Sequence, residues 1–577
     1  VAKIKNGILL LIILVLALCL RIAGINWDQG QFLHPDERFL NMTIQELSLP
    51  SSFTEYLDQA QSPLNPRNFA RDFFVYGNFP VSLSRVVSTI LEKDGLEEIT
   101  IVGRALSAIA DLLIIPLIFL TILLLEKHSR DQQFAIHPHT KFWASLIYAL
   151  MVLPIQQSHF FTTDTFLNLF IFTSFYFSLR YFFEKKFINV IVAGIAWGLA
   201  LSSKITAAFI LPLNLILISL NYFKHLKTAI NLKKIRKSIL LIAATAAIFI
   251  LSAYLSTRLA APYMFENPSF WKITPSTEFV NDLKELSTYS DSESWFPPGV
   301  QWLNRSAFFG IKNLIIFGLG LVITIFAIVG TYFLIKKISS LFKQKKWSKV
   351  SVVFALSLLW LGAFLTYYAL QVVQTLRYYL IIYPFIAIIS GMGLSHFLRK
   401  RKKQALWSSL ALVALSVWPL MFISIYFKPH SRVQASEWIY QNIPTQSIIL
   451  FEYWDDPLPR PLAKYPQQYE LVQLPVFDHD SEEKWTEINA NLAQADYYIL
   501  SSNRAWGSII RTPEKYPQMS HFYQELMANQ TDYQLVTEFS SYPSLEYLGI
   551  NITFNDSWAE EAFTVYDHPQ VLIFKKR

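Results

Sequence analysis

Long uncharged hydrophobic runs alternate along the chain with short polar segments. Val350–Leu376, Tyr378–Leu398 and Ala405–Phe427 each exceed 20 residues without Asp, Glu, Lys or Arg. About 20 apolar residues cross roughly 30 Å of hydrocarbon, so runs of this length read as transmembrane helices. The same pattern predicts about eleven spans, near 7–25, 101–125, 142–158, 164–183, 187–202, 205–223, 238–257, 310–335, 350–370, 377–397 and 405–427. The fifth is short, and the third and fifth leave room for a break or a tilt. The first follows Lys3 and Lys5 and lacks a small-x-small cleavage site before Trp27, which favours an uncleaved anchor over a signal peptide.

Composition agrees with a chain that lives largely in lipid. Of its 577 residues 53% are hydrophobic and 16% charged, where a soluble domain carries about 25% charged residues. This excludes a disordered chain and a plain cytosolic enzyme. The net charge of +8 gains its meaning from position. Basic residues cluster at Lys127/Arg130/Lys141, Lys185/Lys186, Lys224 to Lys237, Lys336 to Lys349 and Arg399 to Lys403. With a cytoplasmic N-terminus all of them fall on the cytoplasmic side, so the excess is a topology signal and no nucleic-acid partner is expected. The single cysteine, Cys19, allows no disulfide or CxxC site within the chain.

Three segments then face outward: loops at about 26–100 and 258–309, and the tail from 428 to 577. The tail alternates strand-like runs (Ser447–Tyr453, Tyr497–Ser501, Val571–Lys575) with helix-like ones (Gln434–Gln441, Glu482–Leu492). It reads as an extracytoplasmic α/β domain following a membrane module at 1–427.

Candidate chemistry gathers on the outer side. The first loop opens with His34-Pro35-Asp36-Glu37-Arg38, where adjacent carboxylates offer a general base and an acid to position it. The same residues also suit a helix start, with Pro35 in the first turn and two acids favourable to the macrodipole. Asp164, in Ser158-His159-Phe160-Phe161-Thr162-Thr163-Asp164, is a second outer acid or a helix cap. His34, His159, Asp36, Glu37 and Asp164 could together bind a divalent cation, although no ligand spacing demands one. Lys204, Arg258 and Arg377 break the inside rule for basic residues. Each could snorkel to headgroups, or together they could hold a phosphate-bearing lipid. Arg104 and Asp111 lie seven apart on one helix and read as a structural pair. No GxxxxGK[ST], GxGxxG or GxSxG motif is present.

The order HPDER, YGNFP, SHFFTTDTF, SSKIT, RLAAPY and LRYYLIIYPF resembles membrane glycosyltransferases of the GT-C fold. The resemblance is to the bacterial family-39-like branch, related to protein O-mannosyltransferases and the aminoarabinose transferase of lipid A. The tail segments RVQASEWIYQNIP and YDHPQVLIFKK look like those of bacterial members. By that resemblance Asp36 is the catalytic base and Glu37 its neighbour, Asp164 lies in the acceptor or metal region, and Lys204 and Arg377 hold the donor phosphate, with Arg258 a weaker match. The implied protein sits in a bacterial plasma membrane. It would move a sugar from a polyprenyl-phosphate donor to a lipid, glycan or protein acceptor. No residue of the tail is implied in catalysis, and the β-trefoil-like insert of eukaryotic O-mannosyltransferases is missing. The competing readings are a transporter or flippase for a lipid-linked sugar and a glycan-binding membrane protein. The first would place its ionisable residues near the bilayer midplane in paired repeats.

Overall fold

The computed structural model describes residues 2–577 except 70, 130–133, 228–231, 267–268, 290, 292–294 and 467. Arg130 and the side chains of Lys3, Lys5, Lys224 and Lys227 lie outside the described residues. Among these residues eight helices are long and apolar enough to cross a membrane, among them Leu96–Lys127, Asp164–Glu184, Lys233–Ala260 and Leu376–Arg399. The chain is a multi-pass helical membrane protein.

The other three expected spans, the first, third and fifth, are also helical. The first lies in the 21-residue helix Ala2–Ile22, and the fifth is the 15-residue Phe187–Leu201. The third breaks into Thr140–Ala149 and Val152–Ser158, with Pro154 in the first turn of the second piece. The expected span at 310–335 is likewise interrupted. A π-turn at Leu314–Leu319 ends at Gly320, which has φ +78°, before the helix Leu321–Lys343 begins. Trp418 explains the interruption: its indole N–H donates to the Phe317 carbonyl at 2.9 Å, and its ring leaves no room for a Cβ on Gly320.

The three segments expected outside meet at one end of the helical bundle. The Tyr56 phenol donates to the Leu259 carbonyl, Arg38 pairs with Asp456 at 3.0 Å, and the Asn304 amide donates to Glu514 at 2.8 Å. The other end holds basic loops: Lys141 pairs with Glu126 at 3.0 Å, and Lys349 donates to the Phe182 carbonyl at 2.7 Å.

The tail builds a five-stranded sheet in the order β2-β1-β3-β5-β4. Its strands are β1 (Ile448–Glu452), β2 (Glu470–Leu474), β3 (Tyr497–Leu500), β4 (Tyr533–Phe539) and β5 (Val571–Lys576). β1 runs parallel to β2 and β3, while β5 pairs antiparallel with β3 and β4. The expected runs became β1, β3 and β5. The two unexpected strands, β2 and β4, are the exposed edges, whose mixed polar sequence gives no buried-strand signal. Between β4 and β5 the chain returns to the membrane bundle. Phe563 packs on Phe317 and Phe422, and Ser544 donates its N–H to the Met421 carbonyl at 3.1 Å. The bundle core therefore includes Ala559 and Phe563 from the tail.

Candidate functional site

Asp36 lies in the first turn of the helix Pro35–Glu46. His34 caps that helix by accepting the Glu37 N–H at its Nδ1, so the helix-start reading of this segment holds locally. The cap fixes where the Asp36 carboxylate points, and it meets the Arg377 guanidinium as an ion pair. Arg377 comes from the 3₁₀ turn Leu376–Ile382, which leads into the helix Tyr383–Arg399. A second pair lies alongside: the Lys204 ammonium donates to Asp164 at 2.7 Å. Lys204 sits in extended backbone between the helix Phe187–Leu201 and the turn Ile205–Ile210, and Asp164 is the first residue of Asp164–Glu184.

Tyr378 joins the two pairs. Its ring centroid is 5.0 Å from the Lys204 Nζ and 5.7 Å from the Arg377 guanidinium carbon. The Asp36, Arg377 and Lys204 side chains are 23%, 26% and 19% exposed, so both pairs open to a ligand. Burial alone would raise the Asp36 carboxyl, but Arg377, His34 and Lys204 outweigh it and hold it well below the usual carboxylate range.

The YGNFP and SSKIT motifs meet through backbone. The N–H groups of Gly77 and Phe79 donate to the carbonyls of Ser203 and Ser202, each at 3.1 Å. A Cβ on Gly77 would lie 2.0 Å from the Ser202 carbonyl oxygen, so only glycine allows this approach. The contact fixes the strand of chain that presents Lys204. It also places Tyr76, whose phenol faces Asp36.

The other sequence-predicted residues have different surroundings. The Glu37 carboxylate is buried against Arg104, accepting from Nε at 2.9 Å and Nη2 at 2.6 Å, and it also takes the Phe161 N–H at 2.7 Å. Asp28 accepts from the same guanidinium at 3.0 and 3.1 Å. The expected Arg104–Asp111 pair is therefore corrected. Asp111 instead binds Arg21 at 2.7 Å and the Tyr148 phenol at 2.6 Å, because loop carboxylates reach Arg104 first. His159 is fully buried, with its ring nitrogens 2.8 and 2.9 Å from the Ile155 and Ala23 carbonyls and its ring stacked on Tyr426. Arg258 is fully buried and donates to the carbonyls of Pro262, Ser269 and Phe270, which ties the second loop to its helix.

The structure thus brings together Asp36, Asp164, Lys204 and Arg377, and surrounds Glu37, His159 and Arg258 with framework contacts. Among the described residues no group of three or more His, Cys, Asp or Glu side chains is placed to hold a metal ion. Asp36 and Asp164 are each matched by a cation, a donor set that suits an anion exchanging onto Lys204 and Arg377 better than a divalent cation.

Sequence reasoning missed four contributors. Tyr76 and Tyr378 sit inside or beside motifs that carry the resemblance, and adjacency to Arg377 was the available signal for Tyr378. The Tyr566 ring packs at a tilt against His34, centroids 4.1 Å apart, and Glu560 accepts the Leu376 N–H at 2.8 Å, immediately before Arg377. Both come from the tail: Tyr566 opens the YDHPQVLIFKK segment, which carries the resemblance but no implied role, and nothing in the sequence marks Glu560.

Residues 87–263 match the family described as dolichyl-phosphate-mannose-protein mannosyltransferase. The archaeal oligosaccharyltransferase AglB from Archaeoglobus fulgidus, solved with an inhibitory peptide and a dolichol-phosphate, aligns over 100% of this chain and 89% of its own. That alignment has 12% identity and a TM-score of 0.50. ArnT from Cupriavidus metallidurans, solved with undecaprenyl phosphate, covers 87% of this chain and 94% of its own at 13% identity and TM-score 0.44. The S. cerevisiae protein O-mannosyltransferase complex Pmt1-Pmt2 covers 44% of this chain and 33% of its own, with 16% identity and TM-score 0.30. No curated protein matches the sequence. The fold is that of the GT-C glycosyltransferases.

Proposed function

We propose that this chain transfers a hexosyl or pentosyl residue from a polyprenyl-phosphate donor to an acceptor hydroxyl, with inversion, at the outer face of a bacterial plasma membrane. The observation that carries this reading is the pair of partly exposed acid–cation couples, Asp36–Arg377 and Lys204–Asp164, assembled from four separate segments around Tyr378. The family match over 87–263 supports it, because that family is named for a dolichyl-phosphate sugar donor. The clustering of these groups at one end of the bundle speaks against a midplane transport site. The basic loops at the other end favour a cytoplasmic N-terminus and an extracytoplasmic tail. The module at 1–427 carries both acid–cation couples, and the acceptor is a lipid, glycan or protein hydroxyl.

The resting ion pairs explain how the steps connect. A carboxylate bound to Arg377 is a weak base. The donor phosphate competes for Arg377 and Lys204, and its arrival releases Asp36 from the guanidinium that depresses its pKa. Asp36 then takes the acceptor hydroxyl proton as the acceptor oxygen attacks the anomeric carbon. The bond from that carbon to the phosphate oxygen breaks, and the two cations stabilise the departing polyprenyl phosphate.

Acceptor-dependent release of polyprenyl phosphate from a radiolabelled polyprenyl-phosphate sugar in proteoliposomes tests the reading. A flippase would move the donor without releasing phosphate, and a binding protein would do neither. Arg377→Gln and Lys204→Gln are each expected to weaken donor binding about 10- to 100-fold, as for a lost charge-assisted hydrogen bond. Gly77→Ala is expected to cost about 10²-fold in turnover by displacing Lys204, with wild-type levels of folded protein on size-exclusion chromatography.

A further inference from the structure

Glu560 belongs to the tail, yet it is built into the turn that carries Arg377. Its side chain is about 1% exposed. One carboxyl oxygen accepts both the Leu376 N–H at 2.8 Å and the Thr375 hydroxyl at 3.0 Å. Its own N–H donates to the Asn313 side-chain carbonyl at 2.9 Å, which pins this stretch of tail to the membrane bundle. The second carboxyl oxygen is buried without a hydrogen-bond partner. Glu561 beside it holds Arg305 at 3.4 Å and Arg511 at 2.8 Å, so the segment is anchored on both sides. Six residues on, the Tyr566 ring packs against that of His34, which caps the helix that carries Asp36. One short tail segment thus touches the supports of both members of the Asp36–Arg377 pair.

We propose that Glu560 is a positioning residue of the transfer site: it fixes the Thr375–Leu376 backbone so that Arg377 meets the donor phosphate, and the tail is a required part of the site. The inference rests on the reading of Arg377 as a phosphate ligand. Its chemistry needs only an acceptor oxygen at that point. A neutral side-chain carbonyl would hold the turn as well as a carboxyl, whereas a methyl group would leave the Leu376 N–H buried and unsatisfied.

The protonation state adds a second handle. Burial pushes the Glu560 carboxyl up to about 8, with Glu561 adding to the rise and the bonds from Leu376 and Thr375 and the charge of Arg377 opposing it. The phenols of Tyr379, Tyr383 and Tyr566 also face it. Below that value the group is neutral. Above it, a carboxylate beside Arg377 competes with the phosphate for the guanidinium.

The test measures binding of undecaprenyl phosphate to the full-length protein in nanodiscs, at pH 7 and pH 9, with thermal unfolding of each variant alongside. Glu560→Ala should weaken binding about tenfold or more. Glu560→Gln should bind like wild type at pH 7 and, unlike wild type, lose no affinity at pH 9. Arg377→Gln is the control for the underlying reading. If it binds undecaprenyl phosphate like wild type, or if wild type does not bind, Arg377 is no phosphate ligand and both statements fall. If Arg377→Gln loses binding but Glu560→Ala does not, the positioning role alone is refuted. Equal loss in Glu560→Ala and Glu560→Gln at pH 7 also refutes it, as does a pH dependence that persists in Glu560→Gln.

Discussion

Asp36→Asn is expected to lower turnover by about 10²–10⁴-fold, the usual contribution of a general base, while tightening binding of polyprenyl phosphate. The two halves of this result have one cause. In the resting site the Asp36 carboxylate occupies Arg377, so it is both the base and the phosphate's competitor. Asparagine keeps the shape of the side chain but removes the charge. Arg377 is then free for the phosphate, and no group remains to accept the acceptor proton. Single-turnover transfer from a labelled donor, together with equilibrium binding of undecaprenyl phosphate, separates the two effects. Transfer at the wild-type rate would remove Asp36 as base. Weaker phosphate binding would instead show that Asp36 helps to build the phosphate site and does not compete for it.

The contrast between Asp36 and Glu37 marks the limit of what the sequence could reveal. Hydropathy is written directly into residue order, so eight long spans and the break in the third were legible, whereas the interruption at Leu314–Leu319, set by packing against Trp418, was not. Asp36, Asp164, Lys204 and Arg377 were legible because each violates a local expectation: an acid or cation at the outer boundary of an apolar run. The role of Glu37 was not legible, since two adjacent carboxylates at the start of a helix point about 100° apart. That rotation sends Asp36 to the open site and Glu37 into a buried cage with Arg104. The Arg104–Asp111 pairing failed for a related reason. Helical spacing places two residues on one face but cannot anticipate Asp28 and Glu37 arriving from a loop some 70 residues earlier. Glu560 and Tyr566 lay further out of reach, because their function is a contact between the tail and the bundle and has no periodicity in either.

Arg104→Leu is expected to be the most destabilising of the substitutions considered, at about 3–5 kcal/mol, the cost of removing one partner from a buried charge cluster. The guanidinium has no exposed side-chain surface and makes five hydrogen bonds: two to Glu37, two to Asp28 and one to the Ile25 carbonyl. Leucine fills part of the volume but leaves two carboxylates, each about 1% exposed, without a counter-charge. Arg104→Lys should restore little, because a single ammonium cannot span two carboxylates in forked geometry. The cluster also joins the chain that follows the first helix, the helix Leu96–Leu112 and the Phe161 backbone before Asp164. Its loss should therefore loosen both acids of the site at once. Thermal unfolding in nanodiscs checks the magnitude, and the triple variant Arg104→Leu, Asp28→Asn, Glu37→Gln checks the cause. If uncompensated charge is what destabilises Arg104→Leu, neutralising both acids should recover a large part of the lost stability. If the triple variant is no more stable than Arg104→Leu alone, packing and lost hydrogen bonds dominate, and the cluster's charge is not what holds this end of the bundle together.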